Sequence, residues 1–179
     1  LEQSALKYPH KPCMIFEGTS ISYLTLSRLA NRLAIHLRQI GLKKGQRVGL
    51  ILPNIPQFLI AYYAILKAGG VVVAINPLFR APEVKRILRD TDVRIVIVIN
   101  QIHSIINQIK HKVKLTTIIT CRTNNIDRLY AFGELESEIL EGGLKQRYAQ
   151  ELEFIELIKN PKKTLEIENQ VLPSDPAIF

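Results

Sequence analysis

Cysteine is scarce: Cys13 and Cys121 are the only two in 179 residues. Two are too few for a disulfide scaffold, and their spacing fits no zinc motif. Both are expected to be reduced, buried thiols of a cytoplasmic protein. No apolar run reaches the roughly 18 residues of a membrane span. No charged-then-apolar leader with a small-residue cleavage site opens the chain, so secretion is not indicated. Neither G-x-G-x-x-G nor a Walker sequence occurs, which removes the common glycine loops for dinucleotides and nucleoside triphosphates. His10, His36, His103 and His111 lack metal spacing, and none has a Cys, Asp or Ser in triad pattern. His36 falls at the polar edge of an amphipathic helix. Glu134, Glu136, Glu138 and Glu141 read as a charged helix surface rather than a paired acid/base site. Internal repeats and low-complexity tracts are also missing.

What is present fits a soluble globular domain: 47% hydrophobic and 22% charged residues, in a chain long enough for one real core. The net charge is +8, which attracts nucleic acid, anionic membrane or polyanionic ligands. The basic residues are dispersed, from Arg28, Arg32, Arg38, Lys43, Lys44 and Arg47 through Lys85, Arg86 and Arg89 to Lys110–Lys114. No recognition helix, zinc finger or aromatic RNA-binding motif accompanies them, which argues against nucleic acid.

The run Leu66-Lys67-Ala68-Gly69-Gly70-Val71-Val72-Val73-Ala74-Ile75-Asn76-Pro77 is the most informative. Gly69 or Gly70 can take the left-handed conformation that closes a helix. Lys67 suits the negative end of that helix dipole. The apolar residues after it read as a strand covered on both faces, and Asn76-Pro77 turns the chain out of the sheet. The pair Gly69-Gly70 follows a helix, whereas phosphate binding wants glycines ahead of one, so it is structural.

Around this unit, Pro12–Phe16 and Ser20–Ser22 predict a hairpin turned at Glu17-Gly18. Leu26, Leu29, Leu33, Leu37 and Ile40 recur at helical spacing, closed by Gly41. Strands follow at Arg47–Leu52, Val71–Ile75, Arg94–Ile99 and Thr116–Thr120. They alternate with helices from Pro56 to Lys67, Pro82 to Asp90 and Ile102 to Ile109, with Asn54 expected to cap the first of these. This spacing predicts an α/β fold, a mainly parallel sheet with helices on both faces. Beyond Asn124-Asn125, Phe132–Leu140 and Arg147–Lys159 read as charged helices, and Pro161-Lys162-Lys163 and Leu172-Pro173 as linker.

The wording of these segments is narrower than the pattern. The stretch Gly41-Leu42-Lys43-Lys44-Gly45-Gln46-Arg47-Val48-Gly49-Leu50-Ile51-Leu52-Pro53-Asn54 resembles the "G-v-k-k-G-D-r-V-a-i-l-l-P-N" segment of adenylate-forming enzymes, with Gln46 in place of the usual acid. The run ending in Asn76-Pro77, the Ile21-Ser22-Tyr23 lead-in with its helix, and the Pro82–Asp90 helix also resemble that family. So does the terminal Pro173-Ser174-Asp175-Pro176-Ala177. The likeness is strong from Tyr8 to about Ile99, weak from Asn100 to Gln170, and returns at the end. It is closest to long- and medium-chain fatty acyl-CoA synthetases.

The resemblance implies the N-terminal sub-domain of that enzyme fold. Residues 1–125 would form an α/β sub-domain, and 126–179 a helical excursion and linker toward an ATP phosphate loop that would follow Phe179. It implies formation of acyl-CoA, AMP and pyrophosphate from ATP, fatty acid and CoA by way of an acyl adenylate. ATP, Mg²⁺ and CoA would serve the full-length enzyme, none held by this segment alone, which would be inactive. In related synthetases an arginine on the corresponding helix lies near the 3′-phosphate of CoA. That makes Arg86, with Lys85, the candidate contact, because guanidinium forks suit phosphate. The competing and favoured reading is a solvated helix face. Asn76, at the carboxyl end of a parallel strand, is a candidate for the substrate channel. No catalytic and no metal residue is expected within the chain. The partners implied are the rest of the synthetase, fatty acid and CoA, with a peripheral contact at the inner membrane face left open. The alternatives are a fatty acyl-AMP ligase or other adenylation enzyme and, in another class, a non-catalytic interaction module of the same fold.

Overall fold

The computed structural model describes residues 1–123, 150–159 and 175–178. Its centre is a five-stranded, all-parallel sheet in the order β4-β3-β5-β6-β7. The strands are β3 (Arg47–Ile51), β4 (Val71–Ala74), β5 (Ile95–Ile99), β6 (Thr117–Cys121) and β7 (Gln150–Glu153). A separate antiparallel hairpin pairs β1 (Pro12–Phe16) with β2 (Thr19–Ser22). Its turn places Glu17 and Gly18 both at positive φ, 47° and 80°, the geometry that matches strand twist in a tight hairpin.

The central strands read as apolar runs because both faces are covered. All five residues of β5 are buried, and Val96, Ile97 and Val98 have no solvent exposure. The covering helices are α2 (Tyr23–Gln39), α3 (Pro56–Lys67), α4 (Ala81–Asp90) and α5 (His103–Ile109). Chain order decides their faces. From β3 the chain steps to β4 on one side, then crosses back over β3 to β5. Right-handed crossovers therefore put α3 and α4 on opposite faces. Accordingly α2 packs on α3, and α4 packs on α5.

The turn out of α3 follows the expected design, with Gly69 as the left-handed residue (φ 84°). The Gly70 amide reaches back to the Ile65 carbonyl at 2.8 Å and the Gly69 amide to Leu66 at 2.9 Å, closing a Schellman turn. Gly70 serves a different need: a Cβ there would lie 3.0 Å from Ile65 Cγ2, 3.1 Å from Leu42 Cδ2 and 3.3 Å from the Gln46 carbonyl.

Four expectations are corrected. The helix expected over Arg147–Lys159 is, in its described part, strand β7 followed by the short α6 (Phe154–Lys159). The ladder with β6 decides this, because Leu152 buries on the sheet while Glu151 and Glu153 meet cations at its edge. Asn54 does not cap α3; Ile55 occupies that position without a side-chain bond, since Pro56 already fills the first helical turn. His36 is 8% exposed and packs inward. Cys13 is half-buried rather than buried, its thiol donating to the Ile21 carbonyl at 3.2 Å. The sequence pattern also passed over α1 (Glu2–Lys7), which packs on α2. The expected helix at Phe132–Leu140 and the two linkers lie outside the described residues.

At the β4 edge, residues 175–178 return to the sheet. The Val72 amide donates to the Ala177 carbonyl at 3.0 Å, Ile178 bridges Val72 in parallel, and Lys44 pairs with Asp175 at 2.9 Å.

Candidate functional site

In an open parallel sheet the ligand crevice forms at the carboxyl edge, where neighbouring strands send their loops to opposite faces. Here those neighbours are β3 and β5. The loop after β3 runs through Pro53-Asn54 into α3, and the loop after β5 runs through the short 3₁₀ turn Asn100–Ile102 into α5. Exposed Asn54 and Asn100 stand at these two strand ends. Beside them Gln57 sits in the first turn of α3, 1% exposed. Its amide nitrogen donates to the Arg122 carbonyl at 3.3 Å, and its Oε1 is buried without a partner. The sequence marked none of these three as a site, because only the strand order reveals which loops meet.

Asn76 follows β4 and is exposed. Its Oδ1 accepts from the Leu78 amide at 2.9 Å, and its carbonyl from the Phe79 amide at 3.1 Å, an Asx turn. That turn leaves Leu78 86% exposed at the same edge. The next helix, α4, starts where the Glu83 carboxylate accepts from the Arg80 amide at 2.9 Å. Val84 and Leu88 bury on the sheet side. At 100° per residue this turns Arg86 to the outer face, exposed, with Lys85 half-buried beside it and Arg89 one turn on. No hydrogen bond or ion pair among the described residues joins Asn76 to Lys85 or Arg86. No group of three or more His, Cys, Asp or Glu among the described residues could hold a metal.

Lys67 does more than complement a helix dipole. It is 8% exposed, and its ammonium meets Glu2 at 2.6 Å, Asn31 Oδ1 at 2.8 Å and Ser27 Oγ at 3.4 Å. The network staples α1 to α2 and α3. Burial opposes ionisation of Glu2, yet the hydrogen bond and charge of Lys67 outweigh it and hold the carboxyl below its ordinary range. Burial pushes the Cys121 thiol well up, with the Glu153 carboxylate adding to it, and raises Cys13 more modestly. Neither thiol is therefore activated as a nucleophile.

The chain and its fold are similar to known proteins. The sequence model of a family described as AMP-binding enzyme matches residues 1–178. A long-chain-fatty-acid–CoA ligase of Bacillus subtilis (strain 168) is 40% identical over 100 residues, covering 56% of this chain and 18% of that protein. The corresponding ligase of Yersinia pestis is 36% identical over 123 residues, covering 68% of this chain and 22% of its own length. Among solved structures, a fatty acyl CoA synthetase of Mycobacterium tuberculosis superposes with TM-score 0.63 at 29% identity, over 73% of this chain and 27% of that one. The chain thus spans about a fifth of the length of the curated relatives it matches.

Proposed function

Because the chain belongs to the AMP-binding enzyme family, we propose that it is the N-terminal α/β part of a fatty acid–CoA ligase. The observation that carries this reading is the family match over residues 1–178, joined to relatives that are named long-chain-fatty-acid–CoA ligases. Those names also favour CoA over a carrier protein or a free adenylate as the end of the reaction.

The reaction proposed has two halves. The fatty acid carboxylate attacks the α-phosphorus of ATP, the bond to pyrophosphate breaks, and an acyl adenylate forms. The CoA thiol then attacks the acyl carbon, loses its proton, and expels AMP. The carboxylate is a poor electrophile until AMP makes its oxygen a good leaving group. ATP, CoA and fatty acid are substrates in this scheme. The described residues offer no carboxylate or imidazole set that fits Mg²⁺, so no step is routed through the metal here.

The segment's own contributions are positional. The sheet is rigid because its central strands are buried on both faces. Asn76 and the exposed Leu78 would form part of the wall along which the acyl or pantetheine arm runs. Arg86, exposed and backed by Lys85, would grip a CoA phosphate with its planar fork. Residues 1–125 remain the sub-domain and 126–179 the excursion in this reading, with the amendment that Gln150–Lys159 returns to the sheet. Among the described residues no helix is long and apolar enough to cross a membrane.

The test is Arg86→Ala in the full-length polypeptide. The KM for CoA is expected to rise about tenfold, the loss of one charge-assisted contact. Fatty-acid-dependent ATP–pyrophosphate exchange should be unchanged. Equal loss in both half-reactions would remove Arg86 from the CoA site.

A further inference from the structure

Two clefts lie at the amino edge of the sheet, on either side of Asp92. One, of about 460 Å³, is lined by Lys43, Arg47 and Arg94 with Asp92 and the Gly41-Leu42 backbone. The other, of about 470 Å³, is lined by Arg89, Lys112 and Lys114 with His111 and the same Asp92. Six permanent cations therefore face one carboxylate. We propose that this amino-edge trench binds a multiply charged phosphate anion.

Ordinary structural duties do not account for the charge. Helices α2, α3 and α4 all end at this edge, and cations do suit helix C-termini. Those ends already have their partners. Arg38 donates to the Ala68 and Lys67 carbonyls at 3.3 and 3.4 Å, closing α3. Arg47 donates to the Thr91 carbonyl at 3.5 Å, beyond α4. The α2 end is closed by the Leu42 amide on the Leu37 carbonyl at 2.9 Å. Capping explains Arg38 and Arg47, and leaves Lys43, Arg94, Lys112 and Lys114 without such a role.

Asp92 does not neutralise the cluster either. It stands 3.6 Å from both Arg94 and Lys114, beyond a good charged hydrogen bond. Both cations keep more than half of their side-chain surface exposed. The tight pairs of this protein are shorter, such as Lys44 to Asp175 at 2.9 Å. Asp92 itself is held at φ 46°, in the turn that separates the two clefts. Apolar side chains share the lining, Ile40, Leu42 and Ile95 in one cleft and Leu88 and Val113 in the other. Cations gathered along one edge raise the local concentration of anions there. Arginine forks with flexible lysines favour phosphate oxygens over a single carboxylate. The volume suits a short polyphosphate or a phospholipid headgroup, which present the same chemistry.

The test uses the full-length polypeptide at an ionic strength of about 0.15 M, where remote surface charge is screened. Tripolyphosphate binding is read by calorimetry. Lipid binding is read by co-sedimentation with phosphatidylglycerol–phosphatidylcholine vesicles against phosphatidylcholine alone. Lys112→Glu/Lys114→Glu is expected to weaken binding at least about tenfold, and the milder Lys112→Gln/Lys114→Gln in the same direction. Lys7→Glu/Lys11→Glu changes net charge equally at exposed positions of the N-terminal segment and should leave binding unchanged. Tripolyphosphate binding that weakens in the Lys112/Lys114 variants assigns a soluble anion, and binding of the anionic vesicles alone that weakens in them assigns a headgroup. Binding that survives both variants overturns the proposal. No binding tighter than about 1 mM in either arm, or equal loss in the Lys7/Lys11 control, overturns the proposal.

Discussion

At the scale of single residues, burial decides what the sequence could not. Cys13 and Cys121 look alike in the sequence, yet one is half-buried and the other fully enclosed. Iodoacetamide at pH 8 should modify Cys13 slowly and leave Cys121 untouched until the protein is unfolded, as peptide mass mapping would read out. Early labelling of Cys121 would contradict its placement. Lys67 was legible as a helix-end cation, but its partners Glu2, Ser27 and Asn31 come from elements distant in sequence, so no local pattern announces them. Glu2 ionises more readily in the folded protein than at its ordinary 4.5. Its contribution is therefore present above about that pH and lost as pH falls through the lower folded value. In Lys67→Met this acid-side loss should flatten, and urea unfolding should show about 1–2 kcal/mol less stability at neutral pH. Gly70 gives a sharper case. Gly70→Ala would press a methyl group against Ile65, Leu42 and the Gln46 carbonyl, costing about 1–3 kcal/mol by the same measurement.

At the scale of elements, periodicity served where one face or both faces of an element are apolar. The stripe of Leu26, Leu29, Leu33 and Leu37 became α2, all four without more than 1% exposure. The runs Val71–Ala74 and Ile95–Ile99 became buried strands. It failed at Gln150–Glu153, a short polar alternation whose strand character comes from pairing with β6 rather than from its own residues. Edge strands of this kind are protected by charge, and Glu151 and Glu153 hold Lys110 and Arg122 there. Hydrogen exchange should accordingly rank the β5 amides among the slowest and those of β7 well ahead of them. Slower exchange in β7 than in β5 would contradict the strand order. The α1 helix, six residues long, was missed because so short an element shows barely two turns of pattern.

At the scale of the whole molecule, the parallel sheet and its helical cover were legible, and so was the family, because several segments recur in the right order. The candidate site was less so. The switch between β3 and β5 follows from strand order, and the amino-edge trench from loops that meet only after folding. The chain's +8 charge is dispersed in sequence but partly gathered in space. The most direct test of the central claim is a paired assay of the full-length polypeptide and residues 1–179 with ATP, a long-chain fatty acid and CoA, following ATP–pyrophosphate exchange and acyl-CoA by mass spectrometry. The account predicts fatty-acid-dependent exchange and acyl-CoA from the full-length polypeptide, and neither from residues 1–179. Exchange by residues 1–179 alone, or no exchange by the full-length polypeptide with fatty acids of any length, would contradict it.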